Sequence, residues 1–272
     1  MKPFAAILIA LSCLFLSPMS HTAQAQSSED DNKLIMPKIG RELPNLTYWS
    51  IRETVPDPGC RHYVNKISIV YPTNTGSPIV DNVMVSKAQK KARDFAGTTT
   101  DNCIPGETNN YASEILTSFS ARSPGRNYLS LMITDFTYLA GNANGGDSSE
   151  SYLFDLRNGK ILELRDIFPN PGQAMPELWQ AASKAWCDLS RKVIPREYND
   201  YASQNCGRRS PPMPNGLKGN GARLSALGSV MFGPEGMIIH DDMPFAHAYG
   251  PQDVTIPKSL LLRLGARPDL WD

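Results

Sequence analysis

The sequence predicts an α+β protein in which antiparallel sheets are covered by helices and two sub-domains pack together. The first observation is the stretch from Asn127 to Phe168, which has the pattern strand, Gly/Asn loop, strand, Asn-Gly turn, strand and helix start. An Asn-Gly pair is the strongest short hairpin signal. The second is a pair of amphipathic helical patterns, at residues 83–95 and 175–193, which can cover such sheets. With 22 prolines and 20 glycines, the composition is typical of a loop-rich protein rather than a helical bundle.

The N-terminal segment has the pattern of an export signal. Lys2 supplies a positive charge, and residues 4–16 form an apolar run that is too short to span a bilayer, which takes ~20 residues. Residues 23–25 (Ala-Gln-Ala) present small side chains where a signal peptidase cleaves. We expect a signal peptide over residues 1–25, cleavage near Ala25, and a periplasmic or secreted mature protein. Lipoprotein processing at Cys13 is the alternative, and it is weaker because this cysteine lies inside the apolar run.

The N-terminal half should form one α+β sub-domain. Residues 26–45 are polar or proline-containing, and we expect a flexible leader there. The sub-domain itself covers residues 46–158. Alternation over residues 66–71 predicts a strand. Residues 83–95 have an apolar face at helical spacing, and we expect their basic face to be solvated, given the neutral total charge. That basic face carries Lys87, Lys90, Lys91 and Arg93.

Successive hairpins are predicted next. Strands at residues 111–121 and 128–138 flank a Pro-Gly turn. Residues 139–149 form a loop rich in Gly and Asn, and the strand at residues 150–156 turns through Asn-Gly into residues 161–164.

The C-terminal sub-domain, residues 159–272, begins with the second hairpin's return strand. Its other predicted elements are a helix, a long irregular segment, a hairpin, a short strand and a final helix. The helix covers residues 175–193 and the irregular segment residues 199–223. The hairpin pairs residues 224–232 with 236–240, the short strand covers residues 253–256, and the final helix covers residues 257–264.

Cysteine usage agrees with export. Removal of the signal leaves Cys60, Cys103, Cys187 and Cys206, and an even number of cysteines in an exported chain suggests two disulfides. Three connectivities are possible. We favour Cys60–Cys103 and Cys187–Cys206, because each pair lies within one half of the chain. No Cys-x-x-Cys motif indicates a redox centre or a cysteine zinc site.

Charge and motifs exclude several classes of function. Acidic and basic residues number 27 each, whereas a nucleic-acid-binding protein would carry a basic excess. The sequence contains no Gly-x-Ser-x-Gly, no phosphate-binding Gly-Lys-Ser/Thr loop and no His-Glu-x-x-His. We therefore assign no catalytic residue, no cofactor and no metal, and we expect no membrane segment in the mature chain.

One cluster of polar residues could contact a ligand. His240 ends a predicted strand, Asp241 and Asp242 follow it, and His247 is close by in sequence. Two imidazoles and two carboxylates can ligate a metal, but these residues lack a recognised ligand spacing, so loop structure is the favoured interpretation. We retain Asp241, Asp242 and His247 as candidate ligand-binding residues. A cell-wall hydrolase that uses the loop from His240 to His247 is the alternative.

The stretch from Tyr128 to Phe168 resembles the exported domain of the RsiV-like family. In that family a strand precedes a Gly-Gly-Ala-His-Gly type loop, a strand ending in Phe-Asp-Leu, a Thr-Gly-Lys turn and Leu-x-Asp-Leu-Phe. The matching segments here are residues 141–145, 154–156, 158–160 and 164–168, and further matches follow at residues 236–239 and 254–257. The resemblance covers most of the mature chain.

This resemblance implies a non-enzymatic binding module of the cell envelope. The family includes the lysozyme-binding ectodomain of an anti-sigma factor and a module that precedes peptidoglycan deacetylase domains. The implied ligand is a protein such as lysozyme or a cell-wall glycan such as peptidoglycan. Asn142 and Asn144 lie in the family's loop, with Asn144 at the position of its histidine, and are candidate ligand-binding residues. A passive structural envelope protein is a third hypothesis.

Overall fold

Two β-sheets and the helices that cover them build the described part of the chain. In this computed structural model the described residues are 36–60, 62–99, 111–193, 206, 213–218, 222–241 and 252–272. The predicted signal peptide, residues 1–25, lies outside them. The predicted α+β class is confirmed, and both sheets belong to the compact unit Leu34–Asp272. The predicted boundary between residues 158 and 159 stays a prediction.

Seven of the described strands form the larger sheet, in the order β2-β3-β4-β5-β6-β7 with β1 beside β4. They are β1 (Lys38–Ile39), β2 (Thr47–Pro56), β3 (Val64–Thr73), β4 (Ala112–Arg122), β5 (Tyr128–Tyr138), β6 (Gly146–Asp155) and β7 (Lys160–Ile161). From β4 to β7, neighbours are antiparallel and consecutive in the chain, as the turn signals predict. β6 begins earlier than predicted, inside the expected loop of residues 139–149.

Two pairings differ from the antiparallel sheets that the sequence predicts. β3 runs parallel to β4 because the chain crosses over through helix α1 (Pro78–Ala96) before it returns. β1 also runs parallel to β4, with Ile39 opposite Ala121. β1 lies in the segment expected to be a flexible leader, residues 26–45. Its backbone pairing with the end of β4 instead places it in the sheet.

Helix α1 covers one face of this sheet. It begins with Pro78 in its first turn, after Ser77 in an extended conformation. Proline is favoured there because a backbone N–H in the first turn has no acceptor within the helix, so the absence of this N–H in proline costs no hydrogen bond. Ala88, Ala92 and Phe95 are buried in one cluster with side chains of β3 and β4. The helix is therefore an amphipathic cover, as its period predicts.

The smaller sheet is antiparallel, in the order β10-β9-β8. Its strands are β8 (Ser229–Gly233), β9 (Gly236–Asp241) and β10 (Gln252–Pro257). A strand was expected from residue 224, but Leu224–Leu227 forms a 3-10 turn and the positive φ of Gly228 separates it from β8.

Short helices and one long helix complete the fold. They are α2 (Leu164–Ile167), α3 (Pro171–Val193), α4 (Lys258–Arg263) and the 3-10 segments Asn215–Leu217 and Pro268–Trp271. Leu178, Ala182 and Trp186 of α3 are buried in one core with residues of both sheets. None of the described helices is long and apolar enough to span a bilayer.

Serine hydroxyls connect the two sheets. The Ser130 hydroxyl accepts a hydrogen bond from the Phe232 backbone N–H (2.9 Å), and the Ser151 hydroxyl accepts one from the Val230 N–H (2.8 Å). Met132 packs with buried residues of β8 and β9 beside these bonds. β8 is therefore held against β5 and β6 by polar and apolar contacts together.

The structure joins Cys187 of α3 to Cys206, with their Cα atoms 5.5 Å apart. This is the pairing that the sequence favours. Cys60 is also disulfide-bonded. Its predicted partner, Cys103, lies outside the described residues, so that pairing stays a prediction.

Candidate functional site

A groove of ≈ 910 Å³ runs along the outer edge of β6. Residues 149–153, five in succession, all line it. Because successive side chains of a strand point to opposite faces of the sheet, a groove that touches all five lies along the strand's edge. One end of the groove is bounded by a backbone hydrogen bond, in which the Leu162 N–H donates to the Leu153 carbonyl (2.7 Å). We call this cavity the β6 groove.

The start of α2 forms one wall of the β6 groove. Glu163 and Asp166 make a reciprocal capping box, in which the Glu163 N–H donates to the Asp166 carboxylate (2.9 Å). Lys160 pairs with the other oxygen of that carboxylate (2.6 Å), and this bond lowers the pKa of Asp166. A capping box satisfies two otherwise unpaired backbone donors, so this wall is fixed.

The segment of residues 222–230 forms the opposite wall, and residues 222–225 and 228–230 of it line the groove. The Arg223 N–H donates to the Gly216 carbonyl (2.8 Å), and Leu217 is fully buried beneath it. Ser225 is exposed on this wall. The two walls thus come from segments about sixty residues apart in the chain, which only the tertiary fold brings together.

The floor of the groove is apolar and its rim is charged. The buried floor residues are Leu153, Leu162, Leu164, Val230 and Phe232. Acidic and basic side chains, Glu150, Glu163, Arg165 and Arg223, also line it. Such a lining suits a ligand with both apolar groups and charges of both signs.

Glu150 and Tyr152 are tied to helix α1. Lys87 donates to the Tyr152 hydroxyl (2.7 Å) and lies over the same ring, 4.8 Å from its centroid. The Tyr152 hydroxyl donates to Glu150. Burial and this bond raise the pKa of Tyr152, so the hydroxyl stays protonated and remains a donor at neutral pH.

The sequence predicts that the basic face of α1 is solvated. The structure shows instead that part of this face contacts the larger sheet. Lys87 contacts β6, and Lys91 pairs with Asp135 of β5. Asp135 also accepts a hydrogen bond from the Thr117 hydroxyl (2.6 Å). By contrast, Lys90 pairs within the helix, with Asp94. The half of the basic face nearest the sheet thus binds α1 to it.

A histidine–aspartate pair lies at one end of the groove. His240 Nδ1 is 2.6 Å from the Asp253 carboxylate, and His240 is the register partner of both Asp253 and Ser229 across the smaller sheet. His240 and Asp253 also line a second cavity of ≈ 450 Å³, together with Met132 and Arg122. Sequence reasoning noted His240 but missed Asp253, because strand register rather than spacing brings the two together.

The other predicted site residues are placed differently. Asn142 and Asn144 are exposed in the loop between β5 and β6 and are not among the residues lining the β6 groove. Asp241 is the last residue of β9, and Asp242 and His247 lie outside the described residues. Within the described ranges, no three His, Cys, Asp or Glu side chains are grouped as a metal site requires. The ligand-binding roles of these residues stay predictions.

A solved structure shares this fold. A DUF3298 family protein from Pseudomonas aeruginosa matches with a TM-score of 0.52 and 17% identity, over 83% of this chain and 96% of that chain. The chain shares its fold with this DUF3298 family protein. A DUF3298 member from Bacteroides fragilis matches with a TM-score of 0.49 and 16% identity, over 83% and 95% of the two chains. The sequence matches no family model and no curated protein. The resemblance to the RsiV-like family therefore stays a prediction.

Proposed function

We propose that the protein is an exported, non-enzymatic binding module of the cell envelope and that the β6 groove holds its ligand. The ligand would be a protein such as lysozyme or a cell-wall glycan. The observation that carries the proposal is the groove itself, ≈ 910 Å³ with a leucine-rich floor and a rim of both charges. Ligand sites are typically concave and mostly apolar, with a few polar groups that orient the ligand.

The walls of the groove support a preformed site. The capping box fixes α2, and hydrogen bonds from the backbone of β8 to Ser130 and Ser151 fix the opposite side. A site that is already ordered loses little conformational entropy on binding, which favours affinity.

Export is supported by the Cys187–Cys206 disulfide, since such bonds persist mainly outside the cytosol. The expected signal peptide at residues 1–25 points the same way. We place the mature protein in the periplasm or secreted medium, where lysozyme and peptidoglycan are accessible.

Retention on immobilised partners tests this function. The chain would be expressed with its signal, and the mature protein purified from the periplasm would be passed over immobilised lysozyme and over peptidoglycan sacculi. Ser225→Trp fills the groove from its exposed wall, and Ser259→Trp is the matched control on the exposed surface of α4. We expect one partner to retain the wild type and the control but not Ser225→Trp. Failure of both partners to retain the wild type would contradict the proposal.

A hydrolase is the second candidate, favoured by the His240–Asp253 pair at the end of the groove. A carboxylate on Nδ1 orients an imidazole for general-base catalysis. The test is release of soluble fragments from peptidoglycan by the wild type, His240→Gln and Asp253→Asn. A hydrolase predicts release that both variants abolish, whereas absence of release by the wild type would eliminate this candidate.

A further inference from the structure

We infer that the ligand of the β6 groove is an extended polypeptide segment of a partner protein, which adds as a strand to the outer edge of β6. The inference rests on the proposed function, because it assigns a chemical class of ligand to the same groove.

β6 is paired very unequally on its two sides. Along one side, β5 pairs with ten successive residues from Gly146 to Asp155. Along the other, strand pairing within the described part of the chain is confined to Phe154 and Asp155, opposite β7. The Leu153 carbonyl already accepts a hydrogen bond from Leu162. The outer edge over residues 149–152 therefore borders the groove rather than another described strand.

An unpaired strand edge presents N–H and C=O groups in a row, at the repeat of an extended chain, about 3.3 Å per residue. The complement of such a row is another polypeptide backbone. A polysaccharide has no main-chain amides at this repeat, so its hydrogen bonds could not follow the edge. Main-chain pairing of this kind supplies affinity in strand-addition complexes.

The edge of β6 lacks three of the features that commonly prevent pairing, although it carries the charged residues Asp147 and Glu150. Proteins protect edge strands with lysine, proline or a β-bulge. Residues 146–155 (GDSSESYLFD) contain neither lysine nor proline. The ladder with β5 runs without interruption from Gly146 to Asp155, so no bulge twists the edge away. The strand is regular enough to accept a neighbour.

The groove would also select the side chains of the added strand. Alternate residues of a strand point to opposite sides, so one set would lie over the leucine floor and the other at the charged rim. The floor presents Leu153, Leu162 and Leu164, and the rim presents Glu150 and Arg223. We therefore expect a ligand segment in which apolar and polar residues alternate.

Peptide selection followed by backbone methylation tests the inference. A displayed library of random linear dodecapeptides would be selected on the full-length protein, with Ser225→Trp as counter-selection and Ser259→Trp as control. Selected peptides would then be synthesised with N-methyl groups at either set of alternate residues. Only every second residue of a strand directs its N–H to a given neighbour. We expect one methylated set to weaken binding at least tenfold and the other to bind like the parent peptide.

Three outcomes would overturn the inference. They are selection of no peptide, equal binding by both methylated sets, and a dimer of the protein that Ser225→Trp dissociates, which would make a second copy the occupant. If lysozyme or sacculi retain the wild type but not Ser225→Trp while peptides fail, the groove is still the ligand site and only the polypeptide class is wrong. If lysozyme and sacculi also fail, the proposed function fails with it.

Discussion

Tyr128 links three segments of the chain through one buried hydroxyl. The residue is fully buried. Its hydroxyl donates to Asp269 (2.8 Å) and accepts a hydrogen bond from Arg157 (2.8 Å). Burial and the bond to Asp269 raise the pKa of Tyr128, so the hydroxyl stays protonated. The C-terminal segment is thus attached to β5 and to the turn after β6.

Replacement of Tyr128 by Phe should destabilise the protein. Removal of the hydroxyl deletes its hydrogen bonds to Asp269 and Arg157, whose exposed charged groups can turn to water. We therefore expect a loss of unfolding free energy at the level of one net hydrogen bond of the Tyr128 hydroxyl, about 0.5–1.5 kcal/mol. Tyr138→Phe is the control on the same strand, and we expect it to change stability by less than about 0.5 kcal/mol. Urea denaturation of both variants gives the comparison. Equal effects would contradict the role assigned to the Tyr128 hydroxyl.

Acid should destabilise the protein through the same cluster. The hydrogen bond from Arg267 outweighs burial and lowers the pKa of Asp269 from 3.8 to about 2. Because the folded pKa lies below the unfolded one, the contribution is complete above the unfolded pKa of 3.8 and is lost as pH falls toward about 2. Asp155, held by Arg157, has a lowered pKa and acts in the same direction.

The measurement is the thermal midpoint as a function of pH. We expect the midpoint of the wild type to fall steeply over that acidic range, and the fall to be shallower in Asp269→Asn, which has no carboxylate to protonate at this position. The variant should be less stable at neutral pH, where the ion pair with Arg267 is missing. Identical pH profiles would show that Asp269 does not couple to folding.

At the scale of elements, the turn between β8 and β9 depends on a glycine. Gly236 has a φ of +139°, and an added Cβ would lie 2.1 Å from the Ile256 carbonyl oxygen of β10. Gly236→Ala should lower the unfolding free energy by about 1–3 kcal/mol, which is the cost of a residue in a strained backbone conformation.

The control for this turn is Gly172→Ala in α3, where an added Cβ meets no atom within 4 Å. Alanine is favoured over glycine in helices by up to about 1 kcal/mol, so we expect this variant to be as stable as the wild type or more so. Guanidinium unfolding compares the two. A stable Gly236→Ala would show that β10 does not pack against the turn as described.

Local patterns predicted many elements, because their signals are local. The Pro-Gly and Asn-Gly turns predicted the antiparallel order from β4 to β7, and apolar residues at helical spacing predicted α1 and α3. The parallel pairing of β3 with β4 was missed, since the partner of a strand after a crossover helix is decided by non-local contacts. The 3-10 turn at Leu224–Leu227 was missed because its apolar residues resemble the start of a strand.

At the scale of the whole molecule, the candidate site could not be predicted. The β6 groove combines residues 149–153, the start of α2 and residues 222–230, which no sequence spacing relates. The family resemblance instead predicted a role for Asn142 and Asn144, which are exposed and do not line the groove. His240 was noticed from the sequence, but its pairing with Asp253 required the register of β9 with β10.

Amide hydrogen exchange with and without bound ligand tests the central claim most directly. The ligand would be lysozyme or solubilised peptidoglycan, whichever retains the protein. Exchange in two segments of the groove, residues 149–153 and residues 222–230, would be compared with exchange in the loop at residues 141–145. We predict that binding slows exchange in the first two segments, which line the β6 groove, and leaves the loop unchanged. Slower exchange confined to the loop of Asn142 and Asn144 would contradict the account and restore the loop as the binding site.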